Sequence, residues 1–431
     1  MVDPAQKHLV IVGGGFAGLY AAKHLKNTNL RITLIDRRNF HLFQPLLYQV
    51  ATGGLSPGDI AYPLRAVLKG NPRAHVIQDK VVDVLPDQKR VVLREGGELS
   101  FDYLLLATGV RHQYFGNEHW SDAAPGLKTI EDALEVRRRI LSAFEEAERT
   151  EDPERRKYLL RFVIVGAGPT GVELAGALGE LAHYTMRRNF RTIDPADAEV
   201  ILVEGSDRVL PPYAPVLSAK AQRALEKLGV TVMSGTRVTD ISSNTITLQR
   251  GDGEPESLAA GTVLWAAGVK ATAFGRRVAE QTGAETDRAG RIKVTPELTI
   301  PGHPYIYVLG DLAHIEQKNG NLVPGVAPAA MQMGKYAAKA VAARLAGKEP
   351  APFRYFDKGS MAVIGRNAAI AQIANLKLSG FPAWMIWAFI HIHFLIEFGN
   401  KMVVSMQWGW NYFTRKRGAR LITGKFTPNP D

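Results

Sequence analysis

The chain has 431 residues and not one cysteine. That absence excludes disulfides, thiolate metal sites, iron–sulfur clusters and any catalytic thiol. Long apolar runs are also missing: no stretch of 18 or more uninterrupted apolar residues occurs, so a membrane-spanning helix is not expected. The opening "MVDPAQKHLVIVGGG" lacks a basic region followed by an apolar core, and no signal peptide is expected. Acidic charge is in short supply, with 42 Asp and Glu against 53 Lys and Arg, a net +11. Such a balance suits an anionic partner (a membrane surface, a nucleic acid or a phosphorylated ligand), and it equally serves plain solubility. With 46% hydrophobic residues the chain can bury more than one core, so two or more domains are expected.

What the chain does have is glycine in a telling register. "LVIVGGGFAGLYAAKHL" places an aliphatic strand before Gly13, Gly15 and Gly18, then a helical pattern, and "RITLID" follows as a second strand ending in Asp36. Each glycine has a physical task. Gly13 makes the tight turn, Gly15 lets backbone approach a pyrophosphate, and Gly18 lets helix and strand pack closely. The helix N-terminus offers N–H donors to the phosphates, and Asp36 can accept hydrogen bonds from a ribose 2′-OH.

The design recurs in "RFVIVGAGPTGVELAGALGEL", with Gly166, Gly168 and Gly171. Its acid-ended strand is "EVILVEG", closing at Glu204, 38 residues after Gly166. The usual spacing is about 20. A longer helix through "LAHYTMRRNF" and a loop "RTIDPADA" would absorb the excess. A glycine-rich turn that binds nothing is the structural alternative. If the turn does bind a nucleotide, Glu204 favours NADH over NADPH, because a carboxylate pairs with a free 2′-OH and repels a 2′-phosphate.

Two further strand-to-glycine crossings follow, "FDYLLLATGV" after the first turn and "GTVLWAAGV" after the second, and "PYIYVLGDLAHI" carries a strand into Gly310 and Asp311. This repeated unit resembles the flavoprotein disulfide-reductase superfamily with two dinucleotide-binding domains. The resemblance implies an α/β fold of two Rossmann-like domains, a discontinuous FAD domain over 1–118 and 288–350 and an inserted NADH domain over 119–287. Residues 351–431 would add two strands and C-terminal membrane-associating helices. It implies FAD on Gly13, Gly14, Gly15, Phe16, Ala17, Gly18, Asp36, Arg37, Val81, Ala107, Thr108, Gly109, Gly310, Asp311, Ala327 and Pro328. NADH would lie on Gly166, Gly168, Pro169, Thr170, Gly171, Glu204, Ala267 and Gly268.

Absent cysteine sorts within that superfamily. Disulfide reductases, sulfide:quinone oxidoreductases and sulfenate peroxidases all need the thiol, so electrons must leave the flavin directly for an acceptor. "FHLFQPLLYQVATGGLSP", "AHYTMRRNFRTIDPADAEVILVEGSDRVLP", "GVAPAAMQMGKYAA" and "WGWNYFTRKRGARLITG" resemble the type II NADH dehydrogenases, across nearly the whole chain. That family implies an acceptor quinone, with Glu173 orienting the nicotinamide or relaying protons and Gln332 hydrogen-bonding a quinone carbonyl. Its A-Q-x-A-x-Q pattern departs here, since Pro328 stands for the first Gln while Ala330 and Gln332 remain. Glu173 also reads as a charge that merely stabilises a helix start, and Gln332 as a cap or flavin contact. "MQMGKYAAKAVAARL" has the composition of a long helix.

Toward the C-terminus, Phe381 to Ile396 is apolar except for His391 and His393, and Trp408, Trp410, Tyr412 and Phe413 then interleave with a basic tail. Lys401 to Lys425 holds six Lys or Arg and no acid. Aromatics beside cations suit an interfacial helix lying in a membrane surface, here over 376–425. An aromatic stripe suits a homodimer interface or a covered core helix as well, and basic runs suit a solvated face. The two histidines, two apart on a helix, read as packed or interfacial side chains and not as a metal pair.

The expectation is therefore a non-pumping NADH:quinone oxidoreductase with resident FAD, peripheral on the cytoplasmic face of a bacterial inner membrane or its organellar equivalent, with no nucleic-acid partner. A soluble NAD(P)H-dependent reductase of a ferredoxin or rubredoxin, and a low-turnover FAD- and NADH-binding redox sensor, are the rival readings.

Overall fold

The computed structural model describes residues 6–26, 28–317 and 320–424, so Lys425 of the basic tail lies outside the described residues. The chain forms two compact units. One comprises Met1–Leu42, Ala61–Arg111 and Val269–Lys358, and the other Phe43–Ile60, His112–Gly268 and Gly359–Asp431.

The first unit is built on a six-stranded sheet in the order Thr299–Ile300, His303–Val308, Tyr103–Leu106, His8–Val12, Arg31–Asp36, Ala74–Gln78. All pairings are parallel except that of the edge strand Thr299–Ile300. "HLVIV" is buried throughout. A continuous apolar run of this kind is what a parallel strand covered on both faces requires. On one side the helices Phe16–His24 and Ala327–Leu345 pack so closely that a Cβ on Gly334 would overlap the Ala17 carbonyl. The chain leaves His8–Val12 to one side for Arg31–Asp36 and pairs Tyr103–Leu106 on the other. The switch point between these neighbours lies at their C-terminal ends, where α/β sheets bind ligands.

The second unit repeats the plan with four parallel strands, ordered Val230–Met233, Glu199–Val203, Arg161–Val165, Thr262–Trp265. Each unit also carries a three-stranded antiparallel meander, Val81–Leu85 to Ser100 in the first and Thr236–Ile241 to Ala259 in the second. The second unit adds a further antiparallel sheet of Ser360–Gly365, Ala368–Ile373 and Leu376–Ser379, then the helices Phe381–Phe394 and Phe398–Thr414. Helix Pro169–Glu180 sits against this sheet at Gly176, where an added Cβ would overlap the Ile364 carbonyl.

Several details differ from the sequence reading. The unit boundaries fall after Arg111 and Gly268, residues 43–60 group with the second unit, and so does everything from Gly359 onward. Three strands, not two, precede the C-terminal helices. The third, "LKLS", is short and lies at the edge with half its residues exposed, so it lacks an apolar signature. The helix after the second glycine turn does not run on through "LAHYTMRRNF". It ends at Glu180, passes through one π turn over Leu181–Thr185, and gives way to turns. Among the described residues no helix is long and apolar enough to cross a membrane.

Candidate functional site

The two glycine turns match residue for residue. Gly13 and Gly166 have φ of +108° and +99°, a region that only glycine enters freely. Gly13 N–H donates to Ile35 O at 2.8 Å and Gly166 N–H to Val203 O at 2.7 Å, tying each turn to the end of the next strand. A Cβ on Gly13 would strike the Ala107 backbone, and one on Gly166 would lie 2.8 Å from the Ala267 backbone. Gly18 and Gly171 each face the carbonyl of the turn's first glycine too closely for any side chain. Gly15 and Gly168, in contrast, have nothing within 4 Å of a built Cβ. They are the N-caps of Phe16–His24 and Pro169–Glu180 and use no side chain to cap them. Open space over the unsatisfied N–H groups of a helix start is a cradle for pyrophosphate. Both turns fit a dinucleotide.

Each turn has its own clamped acid. Asp36 accepts from Gly14 N–H at 2.6 Å and Arg38 N–H at 2.8 Å. Glu204 accepts from Ala167 N–H at 2.7 Å and Ser206 N–H at 2.8 Å. Backbone donors on both oxygens fix the carboxylate while leaving lone pairs for a ribose diol. The crossings end in left-handed glycines, Gly109 at φ +65° and Gly268 at φ +68°. Thr108 Oγ1 beside the first is buried and has no partner among the described residues, a polar atom suited to a bound ligand. Gly310 is left-handed as well, at φ +67°, with Asp311 next to it. Ala327 and Pro328 open the helix Ala327–Leu345. Pro at this position forgoes an N–H that a first turn does not use and presets the helical φ, which accounts structurally for Pro328. Pro169, followed by exposed Thr170, opens the second helix in the same way. Val81 is buried at the start of its meander strand, and Arg37 is exposed.

Glu173 lies past the first turn of its helix, which holds no acid, so its service to the helix dipole is slight. It lines a cavity of about 390 Å³ within the second unit, walled by Tyr48, Gln49, Glu180, Trp384, Trp387, Trp408, Tyr412 and Arg417. Burial pushes the Glu173 carboxyl up to about 8, opposed only by Val363 N–H at 3.4 Å. At neutral pH it is therefore mostly a neutral acid able to donate a proton. Trp387 and Trp408 stack at 5.0 Å, and Trp384 packs on Tyr412 at 5.3 Å. Gln332 is in the first unit. Its amide clasps one residue at both ends, donating to Phe356 O at 2.9 Å and accepting from Phe356 N–H at 3.0 Å. One N–H and one oxygen lone pair of the amide stay unused by Phe356 and could still bond a substrate.

The basic tail is not uniformly exposed. Arg417 turns inward, donating to Glu180 at 2.9 Å, Ala177 O at 3.1 Å and Thr52 O at 3.4 Å. Arg137, 4% exposed, donates to Ala419 O at 3.0 Å and strengthens the same anchorage. His391 is packed, its Nδ1 2.7 Å from the Trp387 carbonyl, while His393 is exposed. Sequence reasoning missed Tyr48, Gln49 and the Glu180–Arg417 pair. "LLYQVAT" carried only a likeness, and no spacing joins Gln49 to a tryptophan more than 350 residues on.

Two glycine turns, two clamped acids and a buried carboxylic acid beside an aromatic cavity define a nucleotide-dependent oxidoreductase with two dinucleotide sites. Residues 7–334 match the family "Pyridine nucleotide-disulphide oxidoreductase". The type II NADH:quinone oxidoreductase Ndh of Mycobacterium tuberculosis is 46% identical over 98% of this chain and 91% of its own length. NdhA of the same organism is 44% identical over 97% and 89%. The structure of NDH2 from Plasmodium falciparum in complex with NADH superposes with a TM-score of 0.90 at 20% identity, covering 97% of this chain and 100% of that one, and so shares the fold. The chain belongs to the type II NADH:quinone oxidoreductases.

Proposed function

We propose that this chain takes hydride from NADH and delivers two electrons to a membrane quinone without pumping protons. Bound FAD would supply the two-electron relay between nicotinamide and quinone, held by the turn Gly13–Gly18, Asp36, the Ala107–Gly109 crossing and Gly310–Asp311. One observation carries the reading. Two glycine turns of matched geometry, each with its own clamped acid, share a chain that has no thiol to receive electrons.

The residues divide the work. Gly168, Thr170 and Gly171 cradle the NADH pyrophosphate at the helix start, and Glu204 selects a free 2′-OH. Glu173 holds a proton at its carboxyl for the acceptor side, in a cavity whose tryptophan walls suit a flat, lipid-soluble ring. Gln332 holds the segment around Phe356 in place, and its second amide N–H can donate to a quinone carbonyl without breaking that clasp.

The helices Phe381–Phe394 and Phe398–Thr414 lay the protein on a membrane surface. Phe389, Phe398, Met406, Trp410 and Phe413 all stand exposed, Phe413 at 82%. Large apolar side chains exposed in such a group mark an interaction face, and the exposed Arg415 and Lys416 would meet anionic headgroups. The cytoplasmic leaflet follows because NADH is supplied there. A homodimer that covers this face is the alternative outcome.

Anaerobic stopped-flow absorbance tests the assignment. The holoenzyme is mixed with NADH or NADPH, then chased with a short-chain ubiquinone or menaquinone. Fast flavin bleaching by NADH and recovery with quinone are expected. Bleaching that no quinone reverses would remove the quinone role and return the chain to a protein-reductase reading.

A further inference from the structure

The cavity holds a hydrogen-bonded chain that ends in a directed hydroxyl. Trp408 Nε1–H donates to Gln49 Oε1 at 2.8 Å, and Gln49 Nε2 lies 3.0 Å from the Tyr48 hydroxyl. An indole N–H can only donate. The amide oxygen of Gln49 must therefore face Trp408, which turns its NH2 group toward Tyr48. The Tyr48 oxygen accepts from that group, so its own proton points away from Gln49. Among the described residues no protein acceptor takes that proton. Tyr48 is buried and lines the same cavity as Glu173.

We infer that Tyr48 hands a proton to the quinone oxygen in this cavity, and that Gln49, fixed by Trp408 of the helix Phe398–Thr414, is the positioning residue that aims it. The inference rests on the quinone reading above. Two electrons and two protons convert the quinone to quinol. The electrons and one proton come from the hydride of NADH. The other proton leaves Tyr48 as its O–H breaks and the quinol O–H forms, Glu173 returns one to the Tyr48 oxygen, and water reprotonates Glu173. Burial pushes the Tyr48 phenol well above its ordinary value, and Glu173, once ionised, adds to the rise. Tyr48 thus stays protonated until an acceptor charge develops beside it. The indole that aims the hydroxyl belongs to one of the two proposed membrane helices, so quinone chemistry would be tuned from the lipid-facing element.

Two substitutions in the holoenzyme test this. Tyr48→Phe keeps the ring and removes the hydroxyl. Gln49→Glu keeps the shape but offers Tyr48 an acceptor in place of a donor, turning the phenol proton away from the cavity. Each variant is assayed with quinone and with ferricyanide, which takes electrons and no proton. Quinone binding is read separately from quenching of tryptophan fluorescence. Removing a positioned proton donor costs roughly 10²-fold or more. Both variants are expected to slow quinone reduction by about that factor, with ferricyanide turnover within about twofold of the parent and quinone binding within about threefold. Normal quinone turnover in Tyr48→Phe would overturn the inference. So would an equal loss with ferricyanide, which marks a structural residue, or weakened binding at an unchanged kcat, which marks a mere contact. If the parent enzyme reduces ferricyanide but no quinone, the functional reading itself fails.

Discussion

Glu204 is one methylene longer than Asp36, yet both carboxylates receive the N–H of the residue that follows their turn's first glycine and the N–H two residues past themselves. The extra reach changes nothing in the clamp, and on the proposed assignment the Glu204 charge sets selectivity. Glu204→Gln is expected to raise the NADPH:NADH ratio of kcat/KM at least about tenfold, about 1.4 kcal/mol of discrimination, read from flavin bleaching rates. Glu173 gives a second test at this scale. Its folded value of about 8 lies above the 4.5 of an unfolded carboxyl, so between these limits the folded chain holds the proton that the unfolded chain has lost. This contribution is fully present below about 4.5 and is lost as pH rises through about 8. Glu173→Gln should flatten the fall in melting temperature between pH 5 and 8, and a parallel slope in both proteins would contradict the buried neutral acid. The glycines and acids of both turns were legible because each task admits few residue types. Tyr48, Gln49 and Trp408 were not, since their roles come from tertiary proximity between segments far apart in the chain.

At the scale of elements, strands were easiest to read where an apolar run is buried on both faces, as in "HLVIV" and "RFVIV". The polar edge strand Leu376–Ser379 and the π turn at Leu181–Thr185 carry no such signature. Close packing of the helix Pro169–Glu180 depends on Gly176. Gly176→Ala would push a methyl into the Ile364 carbonyl, an overpacking cost of about 1–3 kcal/mol, and should lower the unfolding temperature by several degrees in calorimetry. The C-terminal helices give the complementary test. Phe389 and Phe413 are 71% and 82% exposed, and each contributes up to roughly 1.5–3 kcal/mol if lipid covers it fully. The double change Phe389→Ser and Phe413→Ser should reduce partition into anionic vesicles at least about tenfold in a sedimentation assay. Unchanged partition, with a loss of dimers on gel filtration, would assign the face to a second copy.

Across the whole molecule the two nucleotide turns lie in different compact units, and their failures should separate. Gly15→Val fills the open cradle of the first turn, and the purified protein should lose its flavin and its yellow colour. Gly168→Val fills the second, and the protein should remain yellow while its KM for NADH rises at least about tenfold. Loss of flavin from both variants would show that the turns do not divide the cofactors in this way.

That division bears on how such an enzyme can diversify. On the proposed assignment, one copy of a repeated device chooses the electron source and the other holds the resident prosthetic group. A lineage can therefore rewrite Glu204 and its neighbours to accept a different reductant while Asp36 and the first cradle stay untouched. The same separability gives an engineer two independent dials on one redox machine.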